Sequence, residues 1–210
     1  TKNPDMQIHR EFSRKEAVCD YSFWVFCITF SFYSLYATAF TFHILSLGAE
    51  YNYDADRILM LFVPIAAVSV STNLLFGVIN VRLRLKRLLL VMNLGCVLAT
   101  SGLLFLDKTV GVAAYVIGNG VAGGGFVNLV GTVFPRFYGR RHLGAISSTS
   151  MSTIVIGSGL GPLAFGMCQH FTGSYKTVLI ASIAVSTLLA LLSLKADNPQ
   201  RKLTGDKEDS

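Results

Sequence analysis

Six long apolar runs separated by short polar segments make up most of this chain: residues 21–47, 58–81, 88–106, 110–134, 143–169 and 177–194. A helix needs about 20 apolar residues to cross the roughly 30 Å hydrocarbon layer of a bilayer. Each run is about that long, and none carries Asp, Glu, Lys or Arg in its middle. The runs do not alternate polar with apolar, as the strands of a membrane barrel do. Backbone polar groups in lipid must be satisfied within their own span, which makes helix the expected state. The pattern therefore predicts an all-α membrane protein with six transmembrane helices in one bundle. The links are short, including Asp107-Lys108 and a turn centred on Thr172-Gly173-Ser174. They predict that successive spans pack as antiparallel neighbours. Residues 48–57, with Glu50, Asp54 and Asp56, form the longest polar link between spans on the side away from the termini.

Charge adds orientation. All Lys and Arg except Arg57, Lys108 and Lys176 fall in alternate gaps: Lys2 to Lys15, Arg82 to Arg87, Arg136 to Arg141, and Lys195 to Lys207. Cytoplasmic loops are enriched in these residues, so both termini of the segment are expected in the cytoplasm of a plasma or inner membrane. The net charge of +6 then reflects short juxtamembrane clusters against anionic lipid rather than a nucleic-acid surface. Only 14% of residues are charged, against about 25% in soluble domains. The chain opens at Thr1 without the apolar core of a signal peptide, and it reads as a piece of a longer protein. Residues 1–20 are expected as a cytoplasmic loop segment and 21–194 as the bundle. Residues 195–210 are charged, hold Pro199, and are expected as a disordered cytoplasmic tail.

The candidate chemistry is that of binding, not of an enzyme. Neither H-E-x-x-H nor G-x-S-x-G occurs. Cys19, Cys27, Cys96 and Cys168 lack the C-x-x-C spacing of a metal or disulfide framework, so no metal site and no cofactor is expected. The glycines at 122–126 lack the Gly-Lys-Ser/Thr of a phosphate loop. Spans four and five are glycine-rich and carry G-x-x-x-G at Gly120/Gly124 and Gly157/Gly161, a device for close helix approach or for bending. Pro162 removes a backbone donor and is expected to kink span five. Uncharged polar residues gather near mid-span. Tyr33, Tyr36, Asn73, Asn119, Asn128 and Ser150 are the candidate substrate-cavity contacts, because an amide in lipid must face a partner helix or a wet cavity. Both readings stay open for Asn73 and Asn128. Ser147 and Ser150 share a helical face. His43, near the far end of span one, is a candidate pH-sensitive group, the alternative being a structural histidine.

Three stretches carry a resemblance. Glu11-Phe12-Ser13-Arg14-Lys15-Glu16-Ala17 leading to Ser22-Phe23-Trp24 resembles the central loop and seventh-helix entry of major facilitator transporters. The other two are Phe137-Tyr138-Gly139-Arg140-Arg141-His142-Leu143-Gly144-Ala145-Ile146, and Gly159-Leu160-Gly161-Pro162-Leu163 with Thr172-Gly173-Ser174-Tyr175. They resemble the helix 10–11 region of monocarboxylate-porter and oxalate:formate-antiporter-like members of that superfamily. His43 before a short outer loop is similar too.

The resemblance implies helices 7–12 of a twelve-helix transporter, with an N-terminal six-helix bundle of the same chain upstream. It implies a midplane site worked by alternating access and a small-molecule substrate such as a monocarboxylate or other organic anion. Cavity helices would be spans one, two, four and five. Arg82, Arg84, Arg140 and Arg141 would form a cytoplasmic gate. The chain departs from the family pattern at Val81, where an Asp is usual, and at His170, where an Asp commonly precedes Thr-Gly-Ser-Tyr. It also lacks a buried Lys or Arg on the spans matching helices 8 and 11. Either the upstream half supplies that cation or the substrate is not a simple carboxylate. The rival readings are a non-transporting six-helix receptor or scaffold component and a six-span pore, although no filter motif supports the pore.

Overall fold

The computed structural model describes residues 6–201 and 203. Lys2 of the leading segment and the end of the predicted disordered tail lie outside the described residues. Among the described residues eight α-helices are complete, in chain order: α1 (Arg14–Val18), α2 (Tyr21–Glu50), α3 (Ala55–Met60), α4 (Phe62–Ile79), α5 (Leu85–Leu104), α6 (Thr109–Tyr138), α7 (Leu143–Thr172) and α8 (Lys176–Ser193). Six units are long and apolar enough to cross a membrane: α2, α3 with α4, α5, α6, α7 and α8. These are the six predicted spans, several of them longer than their apolar cores. The polar link expected at 48–57 is mostly helical. Only Tyr51–Asp54 separates α2 from α3, turning through Asn52 at φ 57°. The break between α3 and α4 at Leu61 follows from Pro64, which has no N–H to offer the carbonyl one turn earlier.

The packing order differs from the expected chain of antiparallel neighbours. Of the successive pairs, α5 and α6 pack extensively, whereas α6 with α7 and α7 with α8 touch only marginally. The other extensive pairs are α2 with α7, α4 with α6 and α5 with α8. The first two run parallel: Ser31 meets Gly157 and Leu35 meets Gly161, while Val68 meets Gly120 and Ser69 meets Gly124. In lipid no hydrophobic force favours the nearest helix in sequence, so close-approach surfaces choose the partners. Both G-x-x-x-G pairs lie at such surfaces. A Cβ on Gly120 would stand 2.5 Å from Val68 Cβ, and one on Gly124 2.7 Å from Thr72 Cβ. On the α5 side of α6, a Cβ on Gly118 would stand 2.6 Å from Gly95 O. α6 is therefore narrow on two faces and is gripped by α4 and α5. α7 continues as one helix through Pro162.

Aromatic side chains fill the space between α2 and α6. Phe23, Phe26 and Phe30 meet Phe126, Phe134, Phe137 and Tyr138 at centroid distances of 5.5 to 6.3 Å. Toward the other end a second cluster joins Tyr36, Phe40, Leu47, Ile58, Leu103, Tyr115 and Phe165.

One end of the bundle gathers the basic segments. Phe12 N–H donates to Tyr138 O at 2.9 Å. Tyr138 donates its hydroxyl to Asp20 at 2.7 Å, and Glu11 accepts Arg141 N–H at 2.9 Å. Gly139 lies beneath the Glu11 carboxylate at φ 85°, where a Cβ would collide with that side chain. The first two family-like stretches thus dock on each other. Ser13 and Glu16 form a reciprocal capping box that starts α1.

The expected disordered tail is corrected for its described part. Residues 195–201 fold back over this end, with Ala196, Asn198 and Gln200 buried. The reason is polar complementarity. Asp197 accepts from Lys86 at 2.7 Å and from Arg84 at 3.3 Å. The Gln200 side chain accepts His9 and Arg10 N–H and donates to Arg10 O and Phe137 O, at 2.8 to 3.1 Å.

Candidate functional site

Mid-depth polarity converges on the junction of α2, α4 and α6. The Tyr33 hydroxyl lies 2.8 Å, and Ser69 Oγ 3.2 Å, from where Gly123 would carry a Cβ. Gly123 thus leaves the gap that admits both groups. The Tyr33 ring lies 4.8 Å from that of Phe126. One turn on, Tyr36 is wholly buried and its hydroxyl has no hydrogen-bond partner among the described residues. Tyr115 and Cys96 are its electrostatic neighbours, with Tyr33. Asn119 donates to the Tyr115 hydroxyl at 3.2 Å. An unpartnered buried hydroxyl costs about 1–3 kcal/mol, and such groups call for an explanation.

Asn73 and Asn128 meet across the α4–α6 seam. Asn128 Nδ2 donates to Asn73 O at 3.3 Å and Oδ1 at 3.4 Å, while its Oδ1 accepts from Asn80 at 3.2 Å. Thr132 donates to the Asn128 carbonyl. Arg136 completes the ladder, donating to Asn80 O at 2.8 Å and Asn80 Oδ1 at 2.7 Å. Of the two readings of these amides, the helix–helix bond is present.

Ser150, on α7, is buried against Cys27, and its hydroxyl reaches no nitrogen or oxygen partner among the described residues. Beside it Ser31 donates to Thr153 O at 2.6 Å and Thr38 pairs with Ser158 at 2.9 Å. Ser150 is thus apart from the Tyr33–Asn119 group, on the α2–α7 seam. Of the four expected gate cations, Arg84 binds the tail through Asp197. Arg82, Arg140 and Arg141 are exposed at the same end.

Sequence reasoning missed Asn80, Tyr115 and Arg136 as members of these networks. Two spacings held the signal. Asn73 and Asn80 are two helical turns apart, and so are Asn128 and Arg136, which puts each pair on one face. His43 is doubly engaged: Nε2 lies 3.0 Å from Pro162 O and Nδ1 3.0 Å from the Tyr175 hydroxyl. No group of three His, Cys, Asp or Glu able to hold a metal occurs among the described residues.

Six membrane-length helices with neutral polar groups at mid-depth define a polytopic α-helical membrane protein. The sequence profile of the Major Facilitator Superfamily matches residues 24–210, and the chain belongs to that superfamily, whose members are secondary transporters of small solutes. No curated protein matches the chain.

Proposed function

We propose that this chain is the second six-helix half of a transporter that moves a small organic anion, a monocarboxylate being the leading candidate, by alternating access. The observation that carries the reading is the neutral donor group of Tyr33, Tyr36, Ser69 and Asn119, on three helices whose one Lys or Arg is Arg136 in the last turn of α6. Hydroxyl and amide donors suit carboxylate oxygens, and a cation for the same anion comes from an upstream bundle in this reading. α4 and α7 are the least covered spans, as expected of helices that face such a bundle across a cavity. In this reading Ser150 is a separate polar position on the α2–α7 seam, and Asn73 and Asn128 border the cavity while tying α4 to α6. Arg82, Arg84, Arg140 and Arg141 act at the cytoplasmic end as gate and orientation residues.

The test is uptake of labelled small carboxylates by cells expressing the full-length protein. Tyr33→Phe and Asn119→Ala are expected to raise KM about tenfold each, the loss of one hydrogen bond to a charged group. Saturation curves identical to wild type for both variants would remove these residues from the site. Uptake of neutral solutes but of no carboxylate would replace the anion assignment.

A further inference from the structure

Four hydrogen bonds meet in series around His43, and they require four hydrogens. Nε2 faces the Pro162 carbonyl at 3.0 Å, and Nδ1 faces the Tyr175 hydroxyl at 3.0 Å. That hydroxyl lies 2.7 Å from Ser46 Oγ, which lies 3.1 Å from the His43 carbonyl. The two terminal carbonyls only accept. Tyr175 and Ser46 bring one hydrogen each, and a neutral imidazole brings one more. With that hydrogen on Nε2, Tyr175 donates to Nδ1, and Ser46 serves either Tyr175 or the carbonyl. With it on Nδ1, the Nε2 lone pair points at the Pro162 oxygen. Only the imidazolium brings two hydrogens, and the series then closes in one direction from His43 through Tyr175 and Ser46 back to the His43 carbonyl.

We infer that His43 is a proton-binding site, and that its cationic form fastens the far end of α2 to α7 at Pro162 and to the start of α8 at Tyr175. Tyr175 is buried, and the Phe165 ring stacks on the imidazole at 6.5 Å. The charged and titratable groups around this end are of both signs. On α2, Glu50 accepts Tyr175 N–H and the Ser174 hydroxyl, each at 3.3 Å. On α7, Cys168 contacts Ser174 O, and His170 is exposed. Lys176 at the start of α8 is exposed, and on α3 Arg57 pairs with Asp54 in solvent. Histidine is the side chain whose charge ordinarily changes between pH 5 and 8. The consequence rests on the transporter reading above: the far ends of α2 and α7 part less readily in acid.

The experiment compares the melting temperature of the full-length protein in lipid nanodiscs at about pH 5.5 and about pH 7.5, across the histidine range. The wild type is expected to melt about 3 °C higher in acid, relative to His43→Gln, than it does at the higher pH. Gln keeps one donor and one acceptor, as neutral histidine does. Tyr175→Phe, which retains the ring and breaks the series, should lose the same increment and decides the matter if His43→Gln does not fold. His9→Gln, His142→Gln and His170→Gln should keep it. An increment that survives in Tyr175→Phe and in a folded His43→Gln overturns the site. Carboxylate uptake is measured on the same variants. No uptake in any preparation, with the His43-linked increment present, overturns the transport reading and leaves the proton site standing. Uptake with an increment independent of His43 does the reverse.

Discussion

Arg136 holds Asn80 by both its amide oxygen, at 2.7 Å, and its carbonyl, at 2.8 Å. This joins α6 to the chain just past the end of α4, where α4 turns toward α5. Asn80 is buried, so cutting Arg136 back leaves two acceptors without their charged donor. Arg136→Ala is expected to cost about 2–3 kcal/mol, read as a fall of about 6 °C in melting temperature. Arg136→Lys, with a point charge in place of a planar fork, should recover part of the loss.

The α4–α6 seam depends on bare backbone. At Gly124 a Cβ would stand 2.7 Å from Thr72 Cβ and 2.9 Å from Asn73 N, whereas Gly131 on the same helix has nothing within 4 Å. Gly124→Ala should destabilise by about 1–3 kcal/mol through overpacking, and Gly124→Leu should give no monodisperse peak in size-exclusion chromatography. Gly131→Ala should elute and melt as wild type does. Equal behaviour of the two alanine variants would disprove the close approach.

Tyr36→Phe separates stability from function. Its hydroxyl is buried and unpartnered among the described residues, so removing it should raise the melting temperature by about 2 °C or more. The same change should weaken carboxylate uptake if the hydroxyl is held for substrate. A stabilised variant with unchanged uptake would assign Tyr36 to packing.

Asp197 ties the folded tail to the start of α5. Burial acts to raise its carboxyl, but the Lys86 hydrogen bond, the Asn198 backbone and Arg84 outweigh it and hold the group below its ordinary value of 3.8. A carboxyl lowered in the folded state adds stability above the ordinary value, and that stability is lost as pH falls through its own lower value. Asp197→Asn should therefore melt below wild type at neutral pH, and the gap should close as pH drops below 3.8. The group is partly exposed, so solvent screening limits the neutral-pH deficit to about 1 kcal/mol or less. A gap that stays constant down the acid range would assign the loss to shape rather than charge.

Run length and the absence of mid-span charge fix the number and extent of the helices, because lipid leaves no other way to satisfy the backbone. The small-residue pairs Gly120/Gly124 and Gly157/Gly161 also marked the contact surfaces. Which helix lay opposite was not legible. Ser31 and Leu35 meet Gly157 and Gly161 because the shapes of two distant segments match, and no local pattern in either segment records the other. The same holds for the site. Tyr33, Tyr36 and Asn119 stand out as polarity in an apolar run, but the gap that Gly123 leaves for Tyr33 and Ser69 appears only when α2, α4 and α6 are brought together. The tail misled for a related reason: its composition is that of a solvated segment, and its partners, Arg84, Lys86 and Arg10, lie far away in the chain.

Three hydrogen bonds of the Gln200 side chain to the His9 and Arg10 backbone hold the leading segment against the folded tail, which makes the described six-span segment nearly a closed ring. A short covalent linker between these two segments would bridge a gap that one glutamine side chain already spans. The ring can then be cut elsewhere: new ends opened in the Tyr51–Asp54 link, with the old ones joined, should give a permuted bundle with the same helix partners. The order in which the spans enter the membrane would change, and their final neighbours would not.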